Sequence, residues 1–386
     1  GELTSEAGAR DYDRALVRTG LAQCLGLLGR LDEAVALHRE AVAIWRRLGG
    51  DAGLADELCD LGYHLYRQGD YDQALDDCQE GLRIAHDLDE VTALARAYTL
   101  LGVINRQLGM SVLAIEYFEQ AFALYQRADD LQGQAISHNQ MANAHFDLAQ
   151  WEEARQHYRQ ARETFDRIGN VYHRAFADNN LGGIARNQGR LDEALRFYRA
   201  GLETLERSGG STYVLGVFHM NLGATLARRG EADAALDQLR QSEALFEEAQ
   251  AQNFLPELHR HFATVALLAE DPEEARTHGQ QALELARQLT MRAEEGGALR
   301  ALGEVNAVQD AFDAAEEYLL QSVAILEEVG DEYERARSQL SLAQLYAEKG
   351  EPEAGREPLV ASIATFERLG AEMDLREARE LRERQF

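Results

Sequence analysis

Gly189-Arg190-Leu191-Asp192-Glu193-Ala194 joins a turn glycine to an acidic pair and a small residue. The same order recurs at Gly29-Arg30-Leu31-Asp32-Glu33-Ala34 and at Gly69-Asp70-Tyr71-Asp72-Gln73-Ala74, with weaker copies at Gly109, Ala149, Gly230, Glu270, Asp310 and Gly350. These nine signals are 40 residues apart, except for one interval of 41 between Gly189 and Gly230. A period of that length, held along 386 residues almost without insertion, specifies a stacked array rather than a globule around one central core.

On either side of each turn, apolar and small residues recur at three- and four-residue spacing, which makes the unit a helical hairpin. In the first helix a large apolar residue precedes a small one: Leu61-Gly62, Leu101-Gly102, Met141-Ala142, Leu181-Gly182, Leu222-Gly223, Phe262-Ala263, Leu302-Gly303 and Leu342-Ala343. A missing side chain at that step lets the second helix come close. In the second helix Ala114, Phe118 and Ala121, and likewise Ala154, Tyr158 and Ala161, place small, large and small on one face, as interdigitating helices require.

This pattern resembles the tetratricopeptide repeat over nearly the whole chain. A usual period in that family is 34 residues. The longer period here is similar to the variant of MalT-type bacterial regulators, kinesin light chains and some peptide-sensing regulators. Most repeat ends lack the family's proline, since the chain has only Pro256, Pro272, Pro352 and Pro358. Pro272 and Pro352 open expected second helices, where a missing N–H costs nothing. The expected fold is all-α: a right-handed α-solenoid of nine hairpins over residues 1–370, then a capping helix over residues 371–386. The Arg- and Glu-rich tail around Leu375, Ala378 and Leu381 reads as that solvating cap. The first residue is Gly1 and no comparable cap opens the array, so we expect a piece of a longer protein.

Composition narrows the function. The 45% hydrophobic residues suffice for inter-helix seams, and no run approaches a membrane span. A net charge of −28 opposes direct binding of nucleic acid or an anionic membrane. Lys349 is the one lysine, so guanidinium groups, which pair in a plane with carboxylates, are nearly the whole basic complement. Cys24, Cys59 and Cys78 form no close pair in sequence, which fits a reduced, cytoplasmic protein. His259 and His261 point to different helix faces, and His138 and His145 share a face but fall on the packing stripe, so no metal site is expected. There is no phosphate loop, nucleophile elbow, His-Glu-x-x-His or Cys-x-x-Cys, so neither a cofactor nor catalysis is expected. Acidic pairs such as Asp32-Glu33, Glu152-Glu153 and Asp192-Glu193 suit first turns of helices.

A candidate groove follows from helix geometry. If the large-small step faces the partner helix, then residues three before, one after, and four and five after the small residue form a stripe turned about 135° away at about 100° per residue. That stripe holds Cys59, Tyr63, Tyr66 and Arg67; Thr99, Val103, Arg106 and Gln107; Asn139, Asn143, Phe146 and Asp147; Asn179, Gly183, Arg186 and Asn187. Further along it includes Met220, Arg228, Arg260, Thr264, Arg300 and Glu304. Six arginines stand against the acids Asp147, Glu304 and Glu348, the reverse of the chain's 39 basic to 67 acidic residues. Arg, Asn and Tyr can bond an extended backbone while aromatic faces take apolar side chains. The expected partner is a protein or peptide with acidic or carboxylate-bearing character, or a small-molecule ligand.

Two functional classes follow. The resemblance implies a sensor: the C-terminal repeat region of a MalT-like, STAND-type signal-transducing NTPase, whose upstream module is held inactive until the repeats bind ligand and then oligomerises. The alternative is a stand-alone scaffold joining two proteins. Gly209-Gly210-Ser211, at the single extra residue, reads as a hinge between repeats five and six.

Overall fold

A computed structural model describes residues 6–49 and 51–385; residues 1–5, Gly50 and Phe386 lie outside the described residues, and with them the chain start at Gly1 and the outer ends of both expected ranges. The described residues form 19 α-helices and one 3-10 turn, with no strand among them. The fold is an all-α solenoid of tandem hairpins, followed by one further helix. The chain divides into two compact units at Gly169 and Asn170.

The first unit holds four hairpins: α1 (Glu6–Leu27) with α2 (Leu31–Leu48), α3 (Asp51–Gln68) with α4 (Tyr71–Asp87), α5 (Val91–Gln107) with α6 (Ser111–Arg127), and α7 (Leu131–Asp147) with α8 (Trp151–Arg167). The second unit holds five: α9 (Val171–Asn187) with α10 (Leu191–Ser208), α11 (Thr212–Arg228) with α12 (Ala232–Ala249), α13 (Leu255–Leu268) with α14 (Pro272–Gln288), α15 (Arg292–Val308) with α16 (Phe312–Val329), and α17 (Glu332–Glu348) with α18 (Pro352–Leu369). The 3-10 turn Gln252–Phe254 precedes α13, and α19 (Glu372–Gln385) ends the array.

Left-handed residues stop the helices. Each of the nine turns inside a hairpin carries one positive φ, at the nine positions of the sequence period. Gly29, Gly69, Gly109, Gly189, Gly230 and Gly350 take it without steric cost, whereas Ala149, Glu270 and Asp310 take it at φ 56°, 59° and 57°. The residue after the left-handed one is the N-cap of the next helix, and at Asp70, Asp130, Asn170, Asp271 and Asp331 its side chain accepts the N–H three residues on. The extra residue near Gly209 lengthens α10 to 18 residues, and Gly209 itself is an ordinary left-handed C-cap. The boundary between the compact units falls one repeat earlier than the expected hinge, after Gly169.

Packing follows the small-large seam. Ala114, Phe118 and Ala121 are fully buried, as are Ala154 and Ala161 on either side of Tyr158 at 4% exposure. A Cβ placed on Gly102 would lie 2.4 Å from Cε1 of Phe118, so the absent side chain is what admits the ring. Leu101, Leu181, Leu302 and Leu342 fill the adjoining core.

These contacts predict opposite effects at two positions. Gly102→Ala collides with an immovable ring and should lower the urea-unfolding free energy by about 1–3 kcal/mol. Thr290 is β-branched at φ 55°, so Thr290→Gly should raise it by about 0.5–1 kcal/mol net of the added chain entropy. Chemical denaturation followed by far-UV circular dichroism would measure both.

Candidate ligand groove

In the second unit the first helices of all five hairpins converge on one cavity of about 40 Å³. Arg186 and Asn187 come from α9, Ala224, Ala227 and Arg228 from α11, Arg260, His261 and Thr264 from α13, Arg300 and Ala301 from α15, and Glu334 and Arg337 from α17. That space admits two or three waters at about 15 Å³ each, so the cavity is a polar crevice rather than an open trough. Of the expected stripe, Arg186, Asn187, Arg228, Arg260, Thr264 and Arg300 meet there. Asn179 joins them indirectly, accepting from Asn221 Nδ2 at 3.0 Å while Asn221 Oδ1 accepts from Arg186 Nη1 at 3.0 Å.

Converging guanidinium groups need counter-charge. Arg300, 3% exposed, donates to Glu334 Oε2 at 2.6 Å and to Glu304 Oε1 at 3.1 Å. Arg260 lies 3.7 Å from Glu257 and 3.6 Å from Glu294, and Arg337 donates to Glu334 at 3.4 Å. Arg228 pairs with Asp374 of α19. Arg186 differs: its bond is to an amide, and no carboxylate among the described residues comes within 4 Å of it. The Nε atoms of Arg260 and Arg300 are buried without a hydrogen-bond acceptor. Burial tends to raise Glu334, but the charges of Arg300, Arg337 and Arg260 outweigh it and hold the group well below the usual carboxylate range. Glu294 goes the other way. Burial, aided by Glu257 and Glu334 and opposed by Arg260, pushes it up to about 7.

In the first unit the expected residues bond within their own hairpin or to an adjacent one. Tyr63 is exposed, and Arg67 lies 5.9 Å from its ring centroid while donating to Gly26 O at 2.8 Å. Tyr66 is half-buried against Tyr71, and Thr99 is turned back onto Ala95 O. Arg106 bonds Asp147 at 3.0 Å, and Gln107 is exposed. Asn143 accepts from Tyr158 at 2.6 Å, Asn139 is half-buried, and Phe146 stacks on Trp151. The arginine excess of the stripe is therefore largely answered by carboxylates, some on the stripe itself, as Asp147 and Glu304 are, and others outside it, as Glu257, Glu294, Glu334 and Asp374 are.

The missed residues lie on the same helix face, one and two turns earlier. Relative to the small residue of each first helix, Glu257 and Arg337 stand six before and Glu294 and Glu334 nine before. Extending the stripe in three-residue steps towards the helix start would have found all four. Other histidines and cysteines meet within their hairpins. His138 meets His157 of α8 at 3.0 Å, and His259 meets His278 at 3.1 Å. Cys59 and Cys78, separate in sequence, are buried neighbours across α3 and α4, and their thiol contact together with burial raises Cys78 well above the usual thiol value. Among the described residues no group of three or more His, Cys, Asp or Glu side chains is arranged to hold a metal, and no helix is long and apolar enough to cross a membrane.

Comparison with known proteins places this geometry in context. The tetratricopeptide repeat profile matches residues 11–87, 55–127, 93–167, 133–207 and 173–248. A search of curated proteins gives no significant match. Among solved structures the chain is similar to aspartyl phosphate phosphatase F from Bacillus subtilis (13% identity, TM-score 0.63, covering 90% of this chain and 92% of that one). It is also similar to the apo quorum sensor NprR from B. thuringiensis (14%, 0.62, 88% and 99%). A third is a Rap protein complexed with competence and sporulation factor (15%, 0.59, 95% and 99%). At such identities the likeness is one of fold.

The Glu294 environment sets a pH dependence. A carboxyl group whose folded pKa is raised stabilises the fold fully below its unfolded value, near 4.5, and loses that contribution as pH rises through about 7. Glu294→Gln should therefore match the parent at pH 5 and exceed it at pH 8 in urea-unfolding free energy. A difference independent of pH would exclude a raised Glu294.

Proposed function

The chain belongs to the tetratricopeptide repeat family, and from that premise we propose that it is a protein- or peptide-binding sensor domain whose ligand lies along the first helices. The observation that carries the reading is the meeting of Arg186, Asn187, Arg228, Arg260 and Arg300 from four successive first helices on one cavity. Guanidinium and amide groups in such a crevice bond peptide carbonyls and carboxylates, and buried nitrogens without acceptors gain most from a ligand that supplies them. The quorum sensor and the Rap protein bound to a signalling factor support sensing as the use of this fold. A carboxylate-bearing ligand suits Arg186, whose hydrogen bond is to an amide oxygen rather than to a carboxylate. In the MalT-like form of the proposal the bound repeats release an upstream NTPase module; that form is carried by the resemblance, and no NTPase motif lies in this sequence.

The test is capture from native extract with the parent and an Arg67→Glu/Arg186→Glu variant, one substitution in each unit. Arg106 is left intact, because reversing its charge beside Asp147 would harm the fold. A partner or small molecule retained by the parent and lost by the folded variant, with at least a tenfold drop in affinity on reconstitution, is the expected result. Equal retention would move the site away from the first helices.

A further inference from the structure

One ion pair in the second unit does not belong to the repeat. Bonds between neighbouring hairpins join residues roughly one period apart, as Arg300 to Glu334 and Asn221 to Asn179 do, across 34 and 42 residues. Arg228 and Asp374 are 146 residues apart. Arg228 Nη2 donates to both carboxylate oxygens of Asp374, at 2.9 and 2.8 Å, and Tyr333 OH donates to Oδ2 at 3.0 Å. Arg228 Nη1 in turn bonds the Tyr333 oxygen. The carboxylate side chain is 7% exposed and the arginine side chain 14%. Beside it, Met373 sits so close to Gly189 that a Cβ there would lie 2.6 Å from the Met373 Cβ. The first turn of α19 thus reaches the ends of α9 and α11, although its covalent neighbour is α18.

Beyond that pair, α19 is held by the buried Ala378 and by two exposed bonds, Gln344 to Glu377 and Arg379 to Glu367. Of the 14 residues of α19 only Asp374 and Ala378 are buried, and Arg376, Glu377, Arg379 and Glu380 face solvent. A polar helix of that length is marginal without tertiary support. The seat is the reverse: a desolvated guanidinium and phenol, the guanidinium lining the arginine cavity. Charge-assisted bonds from such a pair read a carboxylate whatever chain supplies it.

We propose that Arg228 and Tyr333 form a carboxylate-reading subsite of the groove, filled here by Asp374 of the chain's own α19, and that a partner segment carrying an acidic residue between apolar ones binds there by displacing the first turn of α19. The inference rests on the groove reading above and deepens it to a ligand class: a peptide resembling Met373-Asp374-Leu375. Binding and release of the C-terminal helix become one event. Because α19 is tethered, it competes at a high effective concentration, and the free subsite is stronger than the intact chain reveals.

The probe is the peptide acetyl-Glu-Met-Asp-Leu-Arg-amide, titrated by calorimetry into the full chain, with hydrogen exchange followed along α19. Three proteins are compared: the parent, Asp374→Ala, and Asp374→Ala/Arg228→Gln. The double variant avoids the buried unpaired carboxylate that Arg228→Gln alone would leave. Asp374→Ala should bind the probe at least tenfold more tightly than the parent and exchange its first-turn α19 amides at least tenfold faster. The double variant, and a probe with Asn for Asp, should lose that gain. Equal affinity of parent and Asp374→Ala, no binding by either, retention of binding without Arg228, or unchanged α19 exchange would each overturn the proposal. None of these depends on Arg67 or Arg186 or on a native partner, so failure here and failure of the capture experiment are separate results.

Discussion

The fit of a bulky second-helix side chain against a first-helix position with little or no side chain is the constraint on which the rest depends. Gly102 against Phe118, Gly182 against Tyr198 and Gly303 against Leu319 repeat it in both units. Once that face of each first helix is committed to its own hairpin, the face about 135° away is left over. In the second unit those leftover faces meet, and the cavity is the result of the seam rather than of any dedicated loop. Substitution at the seam should therefore act on the groove through helix spacing as well as through stability.

Meeting faces bring like charges together, and the sequence answers this along the same helices. Five arginines around a small cavity would repel one another in a poorly solvated space, and Glu334, Glu304, Glu257 and Glu294 enter from the same stripe. The balance is uneven. Glu334, held by three arginines, stays ionised, while burial and three neighbouring carboxylates, Glu257, Glu334 and Asp331, raise Glu294 to about 7.

The fold was readable almost throughout, because a 40-residue period shows every turn, seam and cap many times over. Even Ala149, Glu270 and Asp310, which stand where other repeats have glycine, were found by register, and each has the positive φ that glycine has elsewhere. The site was readable by half. Helix geometry found the arginines that meet in the second unit but stopped the stripe at one turn before the small residue, which hid Glu294, Glu334 and Arg337. In the first unit the same rule selected residues that bond within their own hairpins or to the next, as Asn143 and Arg106 do. Periodicity gives direction on a helix; it does not say how far neighbouring stripes are from one another.

No periodic reading reaches Asp374, since α19 has no counterpart in the repeat. As a cap it needs only to cover the last seam, and Ala378 does that with an amphipathic pattern visible in the sequence. An acidic residue in its first turn has an equally local explanation in the helix dipole, as Asp32 and Glu152 have in theirs. Only the closure of the second unit, which brings α11 within reach of α19, converts that capping charge into the partner of a buried arginine. The long-range pair is thus a property of accumulated repeat geometry. A change in hairpin packing anywhere from α11 to α18 alters the distance it must span, so the groove and the C-terminal helix sense the same deformation.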